Sequence, residues 1–272
     1  MSDARATPAE RRFRYSLSIG WFFTAAPVLE RFALARQAGF RAVEMFWPHD
    51  DPAALRTAQR AAGIDVALVN MSEGDYTAGD RGFACHPTRR QEWRRALDSA
   101  LRLGTALSCA RVNVLTGDVP STTSVAVARA CLVENLRWAA PRAASRGITL
   151  VVEPLNHLTH PHYLCQRTAD VLTVLDLVGH ANVALQYDVF HAQRSEGNLL
   201  DTLTENIDRI AHVQLADVPT RAAPGTGEIN FAALLQHLAG LGYEGYVGLE
   251  YDPSPTPDPL EWLPSSERAK GW

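Results

Sequence analysis

One pattern recurs along the chain: a helical stretch, a glycine, and then a short run of apolar residues. It occurs around Gly39, Gly63, Gly147 and Gly242. A glycine just past a helix readily adopts the left-handed conformation that ends the helix. The run that follows is rich in Val, Ile and Leu, as in a parallel strand that is covered on both faces. The pattern therefore predicts helices that alternate with parallel strands.

The alternation is unbroken and contains eight predicted strands. We place the strands near 15–19, 42–45, 65–70, 111–114, 148–153, 183–188, 211–215 and 246–250. Helices are predicted at about 27–38, 52–62, 88–103, 125–146, 168–178, 199–207 and 230–240, with a short eighth helix near 258–263. Such alternation is typical of βαβ units. Eight units without interruption favour an α/β fold of the closed (β/α)₈ type, the TIM barrel, over an open sheet.

Length and composition agree with a single domain. The chain has 272 residues, close to the roughly 250 of one such barrel. Hydrophobic residues make up 46% and charged residues 21%, which is an ordinary globular mixture. No break in composition precedes Pro253. We predict one domain over 1–272, with polar terminal extensions at 1–14 and 253–272.

Charge and hydropathy exclude several classes of function. The net charge of −4 comes without a basic stripe, so we expect no nucleic-acid partner. No apolar run approaches the roughly 20 residues that span a bilayer, and the polar first dozen residues do not resemble a signal peptide. Without such a span, we expect no membrane partner. The four cysteines are scattered singly, which favours reduced thiols and a cytoplasmic protein. The one lysine, Lys270, lies in the tail, which argues against Schiff-base chemistry.

Polar residues fall where the predicted strands end. From the second strand to the eighth, these residues are Glu44, Asn70, Asn113, Glu153, Asp188, Gln214 and Glu250. The carboxyl ends of barrel strands converge on one mouth, and active sites lie there. The sequence therefore predicts that these side chains share one site.

Four of these residues form a candidate metal site: Glu153, Asp188, Gln214 and Glu250. They are 35, 26 and 36 residues apart, about one βα unit each time. Three crowded carboxylates would repel one another without a cation, and an all-oxygen set suits Mg²⁺ or Mn²⁺. Alternatively, the four are unrelated strand-end residues, with Glu153 and Asp188 acting as helix caps. Four in consecutive positions favour the metal site.

Further polar residues are predicted to bind substrate beside the metal. His191 follows the sixth strand and could donate a hydrogen bond to a substrate oxygen. Arg221, in the loop after the seventh strand, could hold a carboxylate with two hydrogen bonds. We add Asn113 and Glu44, which end neighbouring strands, to this substrate-binding set.

The remaining histidines near the predicted mouth are interpreted as structural. His212 alternates with Gln214 and should lie one layer deeper, as a buried core histidine. The segment HLTHPH contains His157, His160 and His162 but lacks partner cysteines for zinc. We interpret that segment as lining of a pocket.

Several segments resemble those of a known enzyme family. They are VVEPLN (151–156), LQYDVFH (185–191), HVQLADVPTRAAPGTGEIN (212–230) and GLEY (248–251). These segments are similar to hydroxypyruvate isomerases and 2-oxo-tetronate isomerases, which belong to the xylose isomerase-like barrels. The resemblance extends from residue 15 to about 252. The glutamine in HVQ distinguishes this branch from related sugar epimerases, which carry histidine there.

The resemblance implies a mechanism as well as a fold. It implies that the four strand-end residues hold the metal and that Glu153 and Glu250 are also the acid/base pair. Proton transfer between adjacent carbons through a cis-enediolate would interconvert hydroxypyruvate and tartronate semialdehyde. His191 and Arg221 match positions that contact substrate in related epimerases. The resemblance further implies a small hydroxy-carbonyl acid or sugar as substrate, and a homodimer.

Other functions stay open at this point. The chain departs from the family pattern at 156–159 and at 46–50, near the predicted mouth, which keeps a 2-oxo-tetronate isomerase and a ketose 3-epimerase as alternatives. A metal-dependent phosphodiesterase for damaged DNA would need several histidine ligands and a basic face. A non-catalytic carbohydrate-binding barrel, or a subunit of a larger complex, is a third alternative.

Overall fold

The computed structural model describes residues 13–269, and within them eight strands form one closed barrel. Every strand pairs in parallel with its neighbours in chain order, and β8 closes the barrel against β1. The strands are β1 (Arg14–Ser18), β2 (Ala42–Met45), β3 (Asp65–Asn70), β4 (Arg111–Asn113), β5 (Thr149–Val152), β6 (Val183–Asp188), β7 (Ile210–Leu215) and β8 (Tyr246–Leu249). The predicted α/β TIM barrel is confirmed.

Helices follow most of the strands on the outside of the barrel. They are α1 (Val28–Gln37), α2 (Pro52–Ala62), α3 (Arg90–Ala106), α4 (Val125–Ala144), α5 (Thr168–Val178), α6 (Val189–Ser195), α7 (Leu199–Asn206), α8 (Phe231–Gly240) and α9 (Ser265–Arg268). None of the helices in residues 13–269 is long and apolar enough to cross a membrane.

Local sequence signals set the bounds of α2. The Asp51 carboxylate accepts the Ala54 backbone N–H at 3.1 Å, and Pro52 occupies the first turn, where its missing N–H costs nothing. Gly63 ends the helix with φ 59°, a left-handed conformation that favours glycine. Polar caps and glycine thus divide the chain into the units that the apolar pattern predicts.

The core lies between the strands and the surrounding helices. Leu150, Val151 and Val152 of β5 are all fully buried, because a parallel strand in a barrel is covered on both faces. From outside, α3 packs the large side chains of Trp93 and Leu97 against the sheet. This core makes the barrel a rigid support for the residues at its mouth.

Two helices differ from the sequence prediction. Helix α6 was not predicted; it begins directly after Asp188, whose side chain caps it. The prediction of a short helix at 258–263 is wrong. That stretch forms turns, and the final helix is Ser265–Arg268. Pro257 and Pro259 lack the N–H groups that a helix there would use.

The segment 253–269, expected as part of a polar extension, packs against the barrel. Leu260 and Leu263 are buried, and Trp262 Nε1 donates to the hydroxyl of Tyr251 at 3.0 Å. Arg268 donates to the Ala38 carbonyl at 2.9 Å, which ties the segment to the end of α1. Of the predicted extension 1–14, residues 1–12 lie outside the described residues, as do residues 270–272.

Candidate active site

The structure brings the four predicted metal-site residues to one end of the barrel. Asp188 is paired in register with Gln214, and Gln214 with Gly248, two residues before Glu250. Glu153 directly follows β5. All four side chains are buried, at 4%, 1%, 2% and 6% exposure in chain order. Neighbouring strands therefore present three carboxylates and one amide at the same end of the barrel.

The carboxylates form a tight cluster. Glu153, Asp188 and His191 each offer one atom to a position where all three atoms lie within 4.8 Å of one another, so this group could hold a metal ion. Asp188 Oδ2 and Glu250 Oε2 each lie 3.2 Å from Nη2 of Arg221. Asp188 thus lies near Glu153, and the Arg221 guanidinium contacts both Asp188 and Glu250.

Burial raises the pKa of each of these carboxyl groups. Burial is the main cause throughout, raising the pKa of Glu250 to about 8 and that of Asp188 to about 6. The pKa of Glu153 lies well above its usual range, with the charges of Glu250 and Asp188 adding to the effect of burial. Such a cluster favours binding of a cation, because a cation lets all three groups ionise.

A network of buried hydrogen bonds orients the Gln214 amide. Its Nε2 donates to Glu44 Oε1 at 2.8 Å, and its Oε1 accepts from Gln186 Nε2 at 2.6 Å. The other Glu44 oxygen accepts from His212 at 2.8 Å and from Ser16 at 3.1 Å. The sequence analysis predicted that Glu44 binds substrate. In the structure its carboxylate accepts hydrogen bonds from residues inside the barrel and orients the Gln214 amide. His212 is fully buried, as its interpretation as a core histidine requires.

His191 presents a hydrogen-bond donor to the cluster. The backbone N–H of Asn156 donates to its Nδ1 at 2.9 Å, so in the neutral ring the proton lies on Nε2. Burial, followed by the charge of Arg221, holds the His191 pKa well below its usual value, so the ring is neutral. Nε2 lies 3.8 Å from Asp188 Oδ2 and has no partner among the described groups. This geometry suits a contact to a substrate oxygen better than metal ligation.

Asn113 and the backbone of α6 orient two of the carboxylates. Asn113 Nδ2 donates to Glu153 Oε2 at 2.9 Å. Asp188 Oδ1 accepts the backbone N–H of Phe190 at 2.8 Å, while Oδ2 faces Arg221. Asp188 therefore caps a helix, as one interpretation of the sequence had it, and also belongs to the carboxylate cluster.

Sequence reasoning missed the residue that holds the Arg221 loop. Asp217 is 1% exposed, and its carboxylate accepts four backbone N–H groups at 2.8–3.1 Å. The donors are Val218, Gly225, Gly227 and Ile229. Arg221 lies inside this loop in a left-handed conformation, with φ 57°. An aspartate that precedes a Pro- and Gly-rich turn was the available signal, because such residues organise loops through their own backbone.

The histidine segment contributes one residue beside the site. The ring of His160 lies 5.8 Å from that of His191, whereas His157 and His162 are exposed. Burial lowers the His160 pKa, and the charges of Arg221 and Arg81 lower it further. The interpretation of HLTHPH as lining therefore fits His160 alone.

A cavity of about 690 Å³ is lined by Leu155 and Asp252, which follow Glu153 and Glu250 by two residues each. Four aromatic side chains line it: Trp21, Phe46, Trp47 and Tyr76. Trp21 connects the cavity to the cluster, because the Arg221 guanidinium lies 5.3 Å from the centre of its ring. The volume is within the range of small-molecule sites.

Comparison with known proteins places the chain in a family. The family model described as xylose isomerase-like TIM barrel matches residues 32–267. The hydroxypyruvate isomerase of Escherichia coli is 39% identical over 252 residues, covering 92% of this chain and 98% of that protein. The 2-oxo-tetronate isomerase of Cupriavidus necator is 37% identical, over 92% and 97%. The chain belongs to this isomerase family. The resemblance to hydroxypyruvate isomerases and 2-oxo-tetronate isomerases is thereby confirmed.

Solved structures agree on the barrel. A Brucella melitensis structure described as an AP endonuclease of family 2 superposes with a TM-score of 0.89 at 34% identity, covering 92% of this chain and 98% of that one. The 3-keto-D-glucoside 4-epimerase of Escherichia coli superposes with a TM-score of 0.75 at 22% identity, covering 94% and 97%. At that identity the epimerase shows the fold alone.

Proposed function

We propose that this isomerase moves a proton between adjacent carbons of a small hydroxy-keto acid, interconverting hydroxypyruvate and tartronate semialdehyde. The observation that carries the proposal is a group of buried carboxylates: Asp188 offers an atom within 4.8 Å of one from Glu153, and it shares Nη2 of Arg221 with Glu250. The neutral His191 lies beside them. A 2-oxo-tetronate is the second candidate substrate, because relatives of the two names are almost equally similar, at 39% and 37% identity.

We further propose that Glu153, Asp188, Gln214 and Glu250 hold one divalent ion, Mg²⁺ or Mn²⁺. The donor atoms are oxygens, which hard cations prefer. The raised pKa values of the three carboxyl groups support a cation at their centre. When bound, the ion would draw charge onto the substrate oxygens as the carbon-bound proton leaves. Glu44 and Gln186 would keep the amide of Gln214 in a fixed orientation.

Glu153 and Glu250 are the proposed acid/base pair. One removes the proton from carbon and the other returns it to the adjacent carbon. The proposed ion would keep both carboxylates ionised, and an ionised carboxylate can accept the proton. Asn113 fixes one oxygen of Glu153 and Arg221 contacts one oxygen of Glu250, so the geometry of each is restrained. His191 would donate its Nε2 proton to a substrate oxygen.

A solvent-exchange assay tests the proposal. With Mg²⁺ or Mn²⁺ added, the wild-type protein should convert hydroxypyruvate and incorporate deuterium from D₂O at the reacting carbon, as followed by NMR. The same assay with a 2-oxo-tetronate ranks the two substrates by kcat/KM. Chelator should remove the activity and added metal restore it. Metal binding without turnover of either acid would favour the carbohydrate-binding alternative instead.

The DNA-directed alternative is less well supported. Among residues 13–269, the one group of three or more potential ligands contains a single histidine, His191. A multi-zinc site of the kind that alternative requires needs several. Incision of a duplex with one abasic site, assayed with added zinc, would favour the nuclease and contradict our proposal.

We expect Mn²⁺ to bind more tightly as the pH rises from about 6 to about 8. Because the pKa of Glu250 is about 8, this group is mostly protonated at pH 7, and the ion must displace that proton. Proton release should therefore be larger at pH 7 than at pH 9. Titration calorimetry in two buffers of different ionisation enthalpy measures the released protons. Binding heats at pH 7 that do not depend on the buffer would contradict the prediction.

A further inference from the structure

Arg81 brings a positive charge to the cavity beside the carboxylate cluster. It lies in the loop between β3 and α3, and it is the one basic side chain among the described residues that line the 690 Å³ cavity. The same cavity is bordered by Trp21 and Leu155, and Leu155 follows Glu153 by two residues. Arg81 therefore lines a cavity that extends to residues next to the proposed acid/base pair.

The Arg81 side chain is held in place on one side. Its guanidinium carbon lies 3.8 Å from the centre of the Tyr76 ring. Its Nη1 donates to the carbonyls of Tyr76 at 3.3 Å and Asp80 at 2.7 Å. These contacts reduce the rotamer freedom that an arginine would lose on binding a ligand.

The other edge of the guanidinium is available. Nε and Nη2 donate to no acceptor, and no carboxylate forms an ion pair with Arg81, within the part of the chain that the structure describes. Nε–H and Nη2–H form the edge that a carboxylate binds through two parallel hydrogen bonds.

Neighbouring arginines are already paired. Arg89 binds Asp80 and Glu92, and Arg221 lies between Asp188 and Glu250. Of these three arginines, Arg81 alone has no carboxylate partner within the part of the chain that the structure describes, so its charge is available to an anionic substrate. Its charge also reaches the inner wall, because it lowers the pKa of His160, whose ring lies against that of His191.

We propose that Arg81 binds the carboxylate of the substrate and so selects acids over neutral hydroxy-ketones. The inference deepens the proposed function and rests on it for the identity of the reaction. It assigns to Arg81 the carboxylate contact that the sequence had suggested for Arg221. Arg221 then contacts the carboxylates of Asp188 and Glu250 and restrains their positions.

Two variants and one control test the assignment. Arg81→Gln removes the charge, and Arg81→Lys keeps the charge but cannot donate two parallel hydrogen bonds to a carboxylate. Arg56→Gln makes the same charge change as Arg81→Gln on the exposed face of α2. We expect Arg81→Gln to raise KM for hydroxypyruvate by about 10- to 100-fold with a smaller change in kcat. Dihydroxyacetone carries a hydroxymethyl group in place of the carboxylate, so its kcat/KM should be unchanged. Arg81→Lys should be intermediate and Arg56→Gln should match the wild type.

Binding of an unreactive acid separates this inference from the proposed function. Calorimetric affinity for glycerate, in the presence of Mn²⁺, should fall about 10-fold or more in Arg81→Gln and stay unchanged in Arg56→Gln. Equal loss for acid and neutral ligands, or wild-type affinity in Arg81→Gln, would overturn the assignment even if the enzyme turns over hydroxypyruvate. If the wild type turns over neither acid but glycerate binding depends on Arg81, the proposed reaction fails and the anion site stands.

Discussion

Replacing Glu153 or Glu250 by glutamine should lower kcat by about 10²–10⁴-fold in each variant, the usual contribution of a general acid or base. Glutamine keeps the size and one oxygen donor, but it can neither accept nor return a proton. The two side chains are buried at 4% and 6% exposure, so water in the mouth could substitute for them only poorly. Deuterium exchange at the reacting carbon should fall together with kcat.

Two controls show whether the loss lies in proton transfer. Glu205→Gln changes an exposed glutamate on α7 and should leave kcat unchanged. Calorimetric titration with Mn²⁺ should show that each active-site variant, measured at saturating metal, still carries its ion. Wild-type exchange rates in both variants would rule out the two-carboxylate mechanism and leave the residues as metal ligands alone.

Replacing Asp217 by alanine should destabilise the protein by about 3 kcal/mol or more and remove most of the activity. The substitution leaves four backbone N–H groups of the loop without their shared acceptor, one in a buried hydrogen bond and three in part-buried ones. An unsatisfied buried group costs about 1–3 kcal/mol, and a part-buried one less because water can reach it. Because the loop contains Arg221, its disorder would also release the contacts to Asp188 and Glu250.

Urea unfolding and steady-state kinetics measure the two effects. Asp217→Asn is the matched variant: it keeps one oxygen acceptor in the same shape, so it should lose less stability than Asp217→Ala. Asp201→Ala, at an exposed site on α7, controls for removal of a negative charge. A change below about 1 kcal/mol in Asp217→Ala would mean that the loop keeps its shape without the carboxylate.

The repeated glycine pattern helped to predict the barrel, because it marks the ends of four helices and the buried strands that follow them. Gly63 and Gly147 both adopt the left-handed conformation that the pattern requires. Helix α6 escaped prediction because seven residues are too few to show a helical period. Its only local signal was Asp188, which sequence analysis had also assigned to the metal site.

The residues of the site were partly predictable for the same reason. Strand ends converge in any such barrel, so Glu153, Asp188, Gln214 and Glu250 could be grouped from spacing alone. The depth of a side chain inside the barrel could not be predicted. Glu44 lies where the pairing of β2 with β3 shifts register, so its carboxylate contacts barrel residues. The roles of Asp217 and Arg81 depend on loop conformations that no period in the sequence encodes.

Glu44 on β2 contacts Ser16 on the adjacent β1, and both His212 and Gln214 on β7, which is three strands away in the closed barrel. Gly248 on β8 leaves the space that this carboxylate fills, because a Cβ there would collide with it. An apolar residue in place of Gln214 would leave Glu44 without one of its donors. These positions should therefore covary in evolution, and a branch that carries a different residue at one of them should carry a compensating change at another.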